Sequence, residues 1–253
     1  MTIVIALSCS DGVVMASDSQ AAETHAAVRY DVPKVFELTS HAVWGGSGDP
    51  QTIRDVNDAL QQARGRIEAS ATLSQDLVDT IRPVLEQRYR NVIQLEGNAD
   101  AIPWTDSLAC GYDPSGGGSW IVEVDRTCNT THYEDRGFHA IGVAAGLATL
   151  GNALLAHFRP AEKPLMHAQL LAYRVMDAAI QTSGFGVGGP IQMWCVDAAG
   201  VRQVDSDELL VMRGLAGAWQ EDERTSLDRI AGAPGLEPEP APLPPPAGQP
   251  EAR

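Results

Sequence analysis

Residues 2–8 form an unbroken apolar run centred on Ile3, Val4 and Ile5. Such a run is expected for a strand covered on both faces. Asp11-Gly12 is a strong hairpin signal, and Val13-Val-Met-Ala-Ser-Asp18 reads as the returning strand. Two sheets stacked face to face, each covered by helices, would bury both faces of the first strand. The rest of the pattern supplies those layers. Lys34–Leu38 and His41–Trp44 read as strands around a turn at Thr39-Ser40, and Asp49-Pro50 reads as a helix cap with proline at the first helical position. One helix is predicted over Ile53, Val56, Leu60, Ala63 and Ile67. A second runs over Leu73, Leu77, Ile81, Leu85 and Tyr89, kinked at Pro83. Strands follow near 107–112, 119–125, 128–133 and 138–142, then helices near 144–158 and 164–181 separated by Arg159-Pro160. Strands at 191–197 and 201–204 and a last helix near 208–219 complete the body. The order of strands, two helices, strands, two helices, strands predicts an α+β fold, a four-layer α/β/β/α sandwich over residues 1–232.

Residues 233–253 hold eight of the chain's 16 prolines and read as an extended, disordered tail. The formal net charge of −15 works against nucleic acid, which needs clustered Lys and Arg, and against anionic lipid. The apolar start is too short to span a bilayer, and no basic n-region precedes it, since the first Lys or Arg is Arg29. Cys9, Cys110, Cys128 and Cys195 are scattered without a Cys-x-x-Cys pair. They read as buried thiols of a cytoplasmic protein, with no zinc site and no disulfide framework. The six histidines show no metal-ligand spacing, so neither a metal nor a cofactor is expected. Gly184-Phe-Gly-Val-Gly-Gly189 has dinucleotide-fingerprint spacing but follows a helix rather than a strand, and is rejected on that ground.

Chemistry is concentrated near the N-terminus. Removal of Met1 would leave Thr2 with a hydroxyl and a free α-amine on adjacent atoms. The amine's unperturbed pKa of about 7.7–8.0 suits a general base at neutral pH, and a threonine activated by its own amine is a known nucleophile–base pair. Many chains begin Met-Thr, so this start alone says little. The Asp11-Gly12 turn, however, returns Asp18 to the end where the chain begins. Lys34, one of only two lysines, opens the next strand. A buried lysine pairs with an aspartate and lowers a neighbouring hydroxyl's pKa; on the surface the same pair would be worth little. Gly45-Gly-Ser-Gly48, just before a capped helix, is either a simple turn or a source of backbone N–H groups for an oxyanion.

Thr2-Ile-Val-Ile-Ala, Asp11-Gly-Val-Val-Met-Ala-Ser-Asp18, Lys34-Val-Phe-Glu-Leu and Gly46-Ser-Gly-Asp49 resemble, in residue type and spacing, the N-terminal threonine hydrolases of the proteasome β-subunit family. The resemblance spans residues 2 to about 205 and is most specific over the first 50. It implies the N-terminal nucleophile hydrolase form of the sandwich, with Thr2 as nucleophile, Asp18 and Lys34 as its activating pair and the Gly48 N–H as oxyanion donor. It also implies a self-compartmentalising peptidase of homo-oligomeric stacked rings acting on unfolded polypeptides or peptides, matured by loss of Met1 alone, with an ATP-dependent unfoldase as a candidate feeder. Two positions depart from the family pattern. Val143 stands where a serine usually follows the glycine of a late strand. The stretch Thr182-Ser-Gly-Phe-Gly has no acid, leaving Ser183 as the only candidate helper. These departures keep open a catalytically silent ring-forming scaffold; a third reading is a related acylase or amidase acting on small amides.

Overall fold

The computed structural model describes residues 2–23, 28–70, 72–97, 105–116, 118–183 and 187–232. The proline-rich segment 233–253, expected to be a disordered tail, lies outside them. The first sheet is built from β1 (Ile3–Cys9), β2 (Gly12–Ser17), β10 (Phe138–Gly142), β11 (Gln192–Asp197) and β12 (Gly200–Gln203), in the order β10-β1-β2-β11-β12. The second sheet runs β5 (Val35–Thr39), β6 (Ala42–Gly48), β7 (Thr105–Asp113), β8 (Gly118–Val124) and β9 (Thr130–His132) in sequence order. Neighbouring strands in both sheets are antiparallel.

β1 is buried along its whole length, and its period-2 alternation decides which layer each residue meets. Ile3, Ile5 and Leu7 pack with Ala172, Val175 and Met176 of α4 (Leu165–Thr182). Val4 and Ala6 face the other way, against Val43, Leu108 and Ile121 of the second sheet. The outer face of the second sheet, through Leu38 and Trp44, packs on Val56 and Leu60 of α1 (Pro50–Glu68) and on Leu77 and Ile81 of α2 (Leu73–Glu96). The layers are thus helices, sheet, sheet, helices, with α3 (Ala145–Leu155) beside α4.

Three elements differ from the pattern-based reading. A separate hairpin, β3 (Gln20–Glu23) with β4 (Val28–Asp31), occupies the segment between Asp18 and Lys34. No Asn-Gly or Asp-Gly dipeptide lies between its strands in the sequence, so periodicity and turn chemistry were both silent there. The strand expected from Cys128 narrows to β9, since Asp125–Asn129 forms a tight turn on the Asp125 carboxylate. α5 spans Ser206–Ala231, twice the expected length. Its second half, Gln220–Arg229, lacks an apolar stripe but carries an Arg224–Glu221 pair and a two-pronged pair from Glu223 to Arg174 of α4. The α4 contact, invisible to apolar periodicity, helps carry the helix on to Gly232.

The start of α5 is a complete capping box: Asp205 accepts from the Asp207 and Glu208 N–H groups, and Glu208 reaches back to the Asp205 N–H. Asp205→Ala is expected to cost about 1 kcal/mol, read as a lower urea midpoint at unchanged slope. A change below about 0.3 kcal/mol would mean the cap does not support the fold.

Candidate active site

Thr2 stands at the head of β1 and is 6 % exposed in the chain that carries Met1. The β1–β2 register pairs Val4 with Ser17, so Asp18 comes opposite Ile3 one residue past the strand. Two backbone hydrogen bonds fix it there. The Ile3 N–H donates to Asp18 Oδ1 at 3.0 Å, and the Asp18 N–H donates to the Ile3 carbonyl at 3.3 Å. The Gly188 N–H, at the other side of the fold in sequence, donates to Asp18 Oδ2 at 3.2 Å.

Lys34 Nζ lies 2.8 Å from Asp18 Oδ1, with side chains 5 % and 0 % exposed, so the pair is a core feature and not a surface one. Nζ also donates to the Gln20 carbonyl at 2.8 Å. Burial lowers the Lys34 pKa below 10.5, and the Asp18 charge and hydrogen bond oppose that shift without cancelling it. The lysine backbone is held equally firmly. Its N–H donates to Gln192 Oε1 at 3.1 Å, its carbonyl accepts from Gly46 N–H at 3.2 Å, and Gln192 Nε2 donates to the Val32 carbonyl at 3.0 Å.

The glycines of β6 divide by role. A Cβ on Gly45 would sit 2.8 Å from Val4 Cγ1, and one on Gly46 would sit 2.9 Å from Ile53 Cγ1, so both serve close packing between layers. Gly48 differs, with a φ of 130° at the end of the strand. Gly48, Thr2 and Lys34 line one cleft of about 320 Å³, together with Tyr30, Phe36 and Arg54. Its size suits a side chain or small group, and it is amphipathic, with the Arg54 head at an exposed position.

β10 clamps the other side of Thr2. The Val143 N–H donates to the Thr2 carbonyl at 3.0 Å, and Gly142 adopts a φ of 98° to let the strands approach. Val143 is 56 % exposed and brings no hydroxyl to this position. Ser183 caps α4, its N–H donating to the Ala179 carbonyl; among the described residues it makes no hydrogen bond to Thr2, Asp18 or Lys34. Residues 184–186 of the adjoining glycine-rich stretch lie outside the described residues. Gln20, Gln192 and Gly188 escaped sequence reasoning, because each acts through a backbone or amide contact whose partner is remote in the chain.

All four cysteines are buried and unpaired, and burial pushes the Cys9 and Cys195 thiols up to about 12. They are therefore protonated, unreactive thiols at neutral pH. Among the described residues no cluster of three His, Cys, Asp or Glu side chains could hold a metal, and no helix is long and apolar enough to cross a membrane.

The sequence model of the proteasome subunit family matches residues 2–187. This chain belongs to that family. As a proteasome subunit homologue it is 25% identical to proteasome subunit beta 1 of Thermococcus kodakarensis over 213 residues, covering 82% of this chain and 94% of that one. It is 26% identical over 196 residues to the proteasome subunit beta of Streptosporangium roseum, covering 75% of this chain and 64% of that one. Among solved structures, the Anbu complex of Pseudomonas aeruginosa, described as a helical assembly, superposes with a TM-score of 0.71 at 21% identity, covering 93% of this chain and all of that one. Anbu of Yersinia bercovieri, described as an ancestral β-subunit, gives 0.67 at 18% identity, covering 94% of this chain and all of that one. At these identities the superpositions establish the N-terminal nucleophile hydrolase fold of proteasome subunits.

Proposed function

We propose that this proteasome subunit homologue is a threonine-type peptidase whose nucleophile is Thr2, freed by removal of Met1. The observation that carries the reading is the buried Lys34–Asp18 pair, locked by three backbone donors and an amide, with Lys34 lining the same cleft as Thr2. A buried charge pair this far out of water is costly to assemble and contributes little stability over an apolar core, which favours a chemical role.

In this mechanism Thr2 Oγ1 attacks the substrate carbonyl while the freed α-amine takes the hydroxyl proton. The Lys34 ammonium stabilises the developing alkoxide, and the Gly48 N–H takes the oxyanion. The amine then returns the proton to the leaving nitrogen as the C–N bond breaks. Water attacks the resulting Thr2 ester, with the same amine as base, to release the acid. Copies of the chain assemble into stacked rings that admit unfolded polypeptides or peptides, fed where required by an ATP-dependent unfoldase, in the cytoplasm.

A second reading, a catalytically silent ring-forming scaffold, is favoured by Val143, which provides no hydroxyl beside Thr2. Intact-mass spectrometry before and after a threonine-directed β-lactone separates the two. Loss of Met1 together with one adduct that is absent from Thr2→Ala is the expected result. Retained Met1, or no Thr2-dependent adduct in the assembled particle, would leave the scaffold as the function.

A further inference from the structure

A second nucleophile–base arrangement lies away from Thr2. Ser74 is the second residue of α2, His132 ends the edge strand β9, and Glu134 opens a 3₁₀ turn two residues later. Ser74 Oγ is 3.0 Å from His132 Nε2, and His132 Nδ1 is 3.1 Å from Glu134 Oε1. The carboxylate can only accept, so it selects the tautomer with the proton on Nδ1 and turns the Nε2 lone pair toward the serine hydroxyl. The three groups are joined in the order nucleophile, base and orienting acid required for an activated serine.

Two further features complete such a site. The three side chains line a cavity of about 900 Å³, whose apolar wall includes Ile67, Val78 and Trp120. The Leu73 and Ser74 N–H groups, in the first turn of α2, donate to no acceptor among the described residues, whereas the Thr72 and Gln75 N–H groups are satisfied. The two N–H groups belong to Ser74 itself and to its neighbour, and in the proposed site they are the donors offered to an oxyanion formed at the serine.

We infer that Ser74, His132 and Glu134 form a second, serine-type acyl-transfer site that takes short-chain carboxylic esters, independent of Thr2. Ser74 Oγ forms a bond to the acyl carbon, and its proton passes to His132 Nε2. The ester C–O bond breaks, and the alcohol leaves with that proton. Water then hydrolyses the Ser74 ester, with His132 again as base and the carboxylic acid as product. Glu134 is a positioning residue that holds the imidazole.

The test uses the full chain carrying Thr2→Ala, so that no chemistry at Thr2 contributes. The protein is treated with a fluorophosphonate and the adduct mapped by peptide mass spectrometry; p-nitrophenyl acetate turnover is followed in parallel. The expected result is an adduct on the Ser74 peptide and an esterase rate that falls by about 10²-fold in Ser74→Ala and His132→Ala. Glu134→Gln should lower kcat and leave KM unchanged, a split that a merely structural role would not produce. No adduct at Ser74, or an esterase rate unaltered by Ser74→Ala, would overturn the proposal.

Discussion

Lys34→Met is expected to reduce turnover at Thr2 by at least ~10²-fold and to destabilise the fold by about 3–5 kcal/mol. The stability loss has a specific origin. Asp18 is fully buried and receives donors from Lys34 Nζ, Ile3 N–H and Gly188 N–H. Methionine matches the lysine stem but withdraws the ammonium, leaving the buried carboxylate with no charged donor among the described residues. The double variant Asp18→Asn/Lys34→Met removes that charge as well, so it should recover a large part of the stability and none of the turnover. Urea unfolding at constant slope measures the first quantity and β-lactone reactivity the second. Full recovery of reactivity in the double variant would sink the role assigned to the pair.

The same lysine sets a pH dependence. Desolvation places its pKa below 10.5, so the ammonium is lost at a lower pH in the folded protein than in the unfolded chain. Between those two values the unfolded chain holds more protons, and this group's contribution to stability rises with pH. The proposed chemistry uses the ammonium, so reactivity falls across the same interval. An alkaline limb below pH 10.5 that is absent from the residual activity of Lys34→Met is the expected profile.

Gly142→Ala is the second large effect. A Cβ at this position would stand 2.1 Å from the Thr2 carbonyl oxygen and 2.8 Å from Ser47 Oγ, and the φ of 98° is unfavourable for any L side chain. Neither obstacle can move cheaply. The carbonyl belongs to the strand-head residue that accepts from the Val143 N–H, and Ser47 is buried. Backbone strain of ~1–2 kcal/mol and overpacking of ~1–3 kcal/mol together give a loss of roughly 3 kcal/mol. Displacement of Thr2 should reduce its β-lactone labelling in parallel. Gly146→Ala is the matched control: it lies in α3 with nothing within 4 Å of a new Cβ, and should stabilise by about 0.5–1 kcal/mol. Equal behaviour of the two variants would show that close approach at Gly142 is not what holds Thr2 in place.

Much of the fold was legible in the residues because it rests on local periodicity. β1 and β2, the helices from Ile53 to Tyr89 and the layer order follow from apolar spacing and turn chemistry that are properties of neighbouring residues. The Asp11-Gly12 turn likewise determined that Asp18 would return beside the chain start. The β3–β4 hairpin and the second half of α5 carry neither signal, and their form became visible only with the structure. Tertiary structure also decided what lies between distant segments. The Gly188 N–H reaches Asp18 across 170 residues, Gln192 holds Lys34 across 158, and Ser74 meets His132 across 58. The residue types at Thr2, Asp18 and Lys34 are thus determined by the sequence. Their burial, their donors and the second serine–histidine pair depend on sheet register and layer stacking, which arise from contacts no stretch of chain makes with itself.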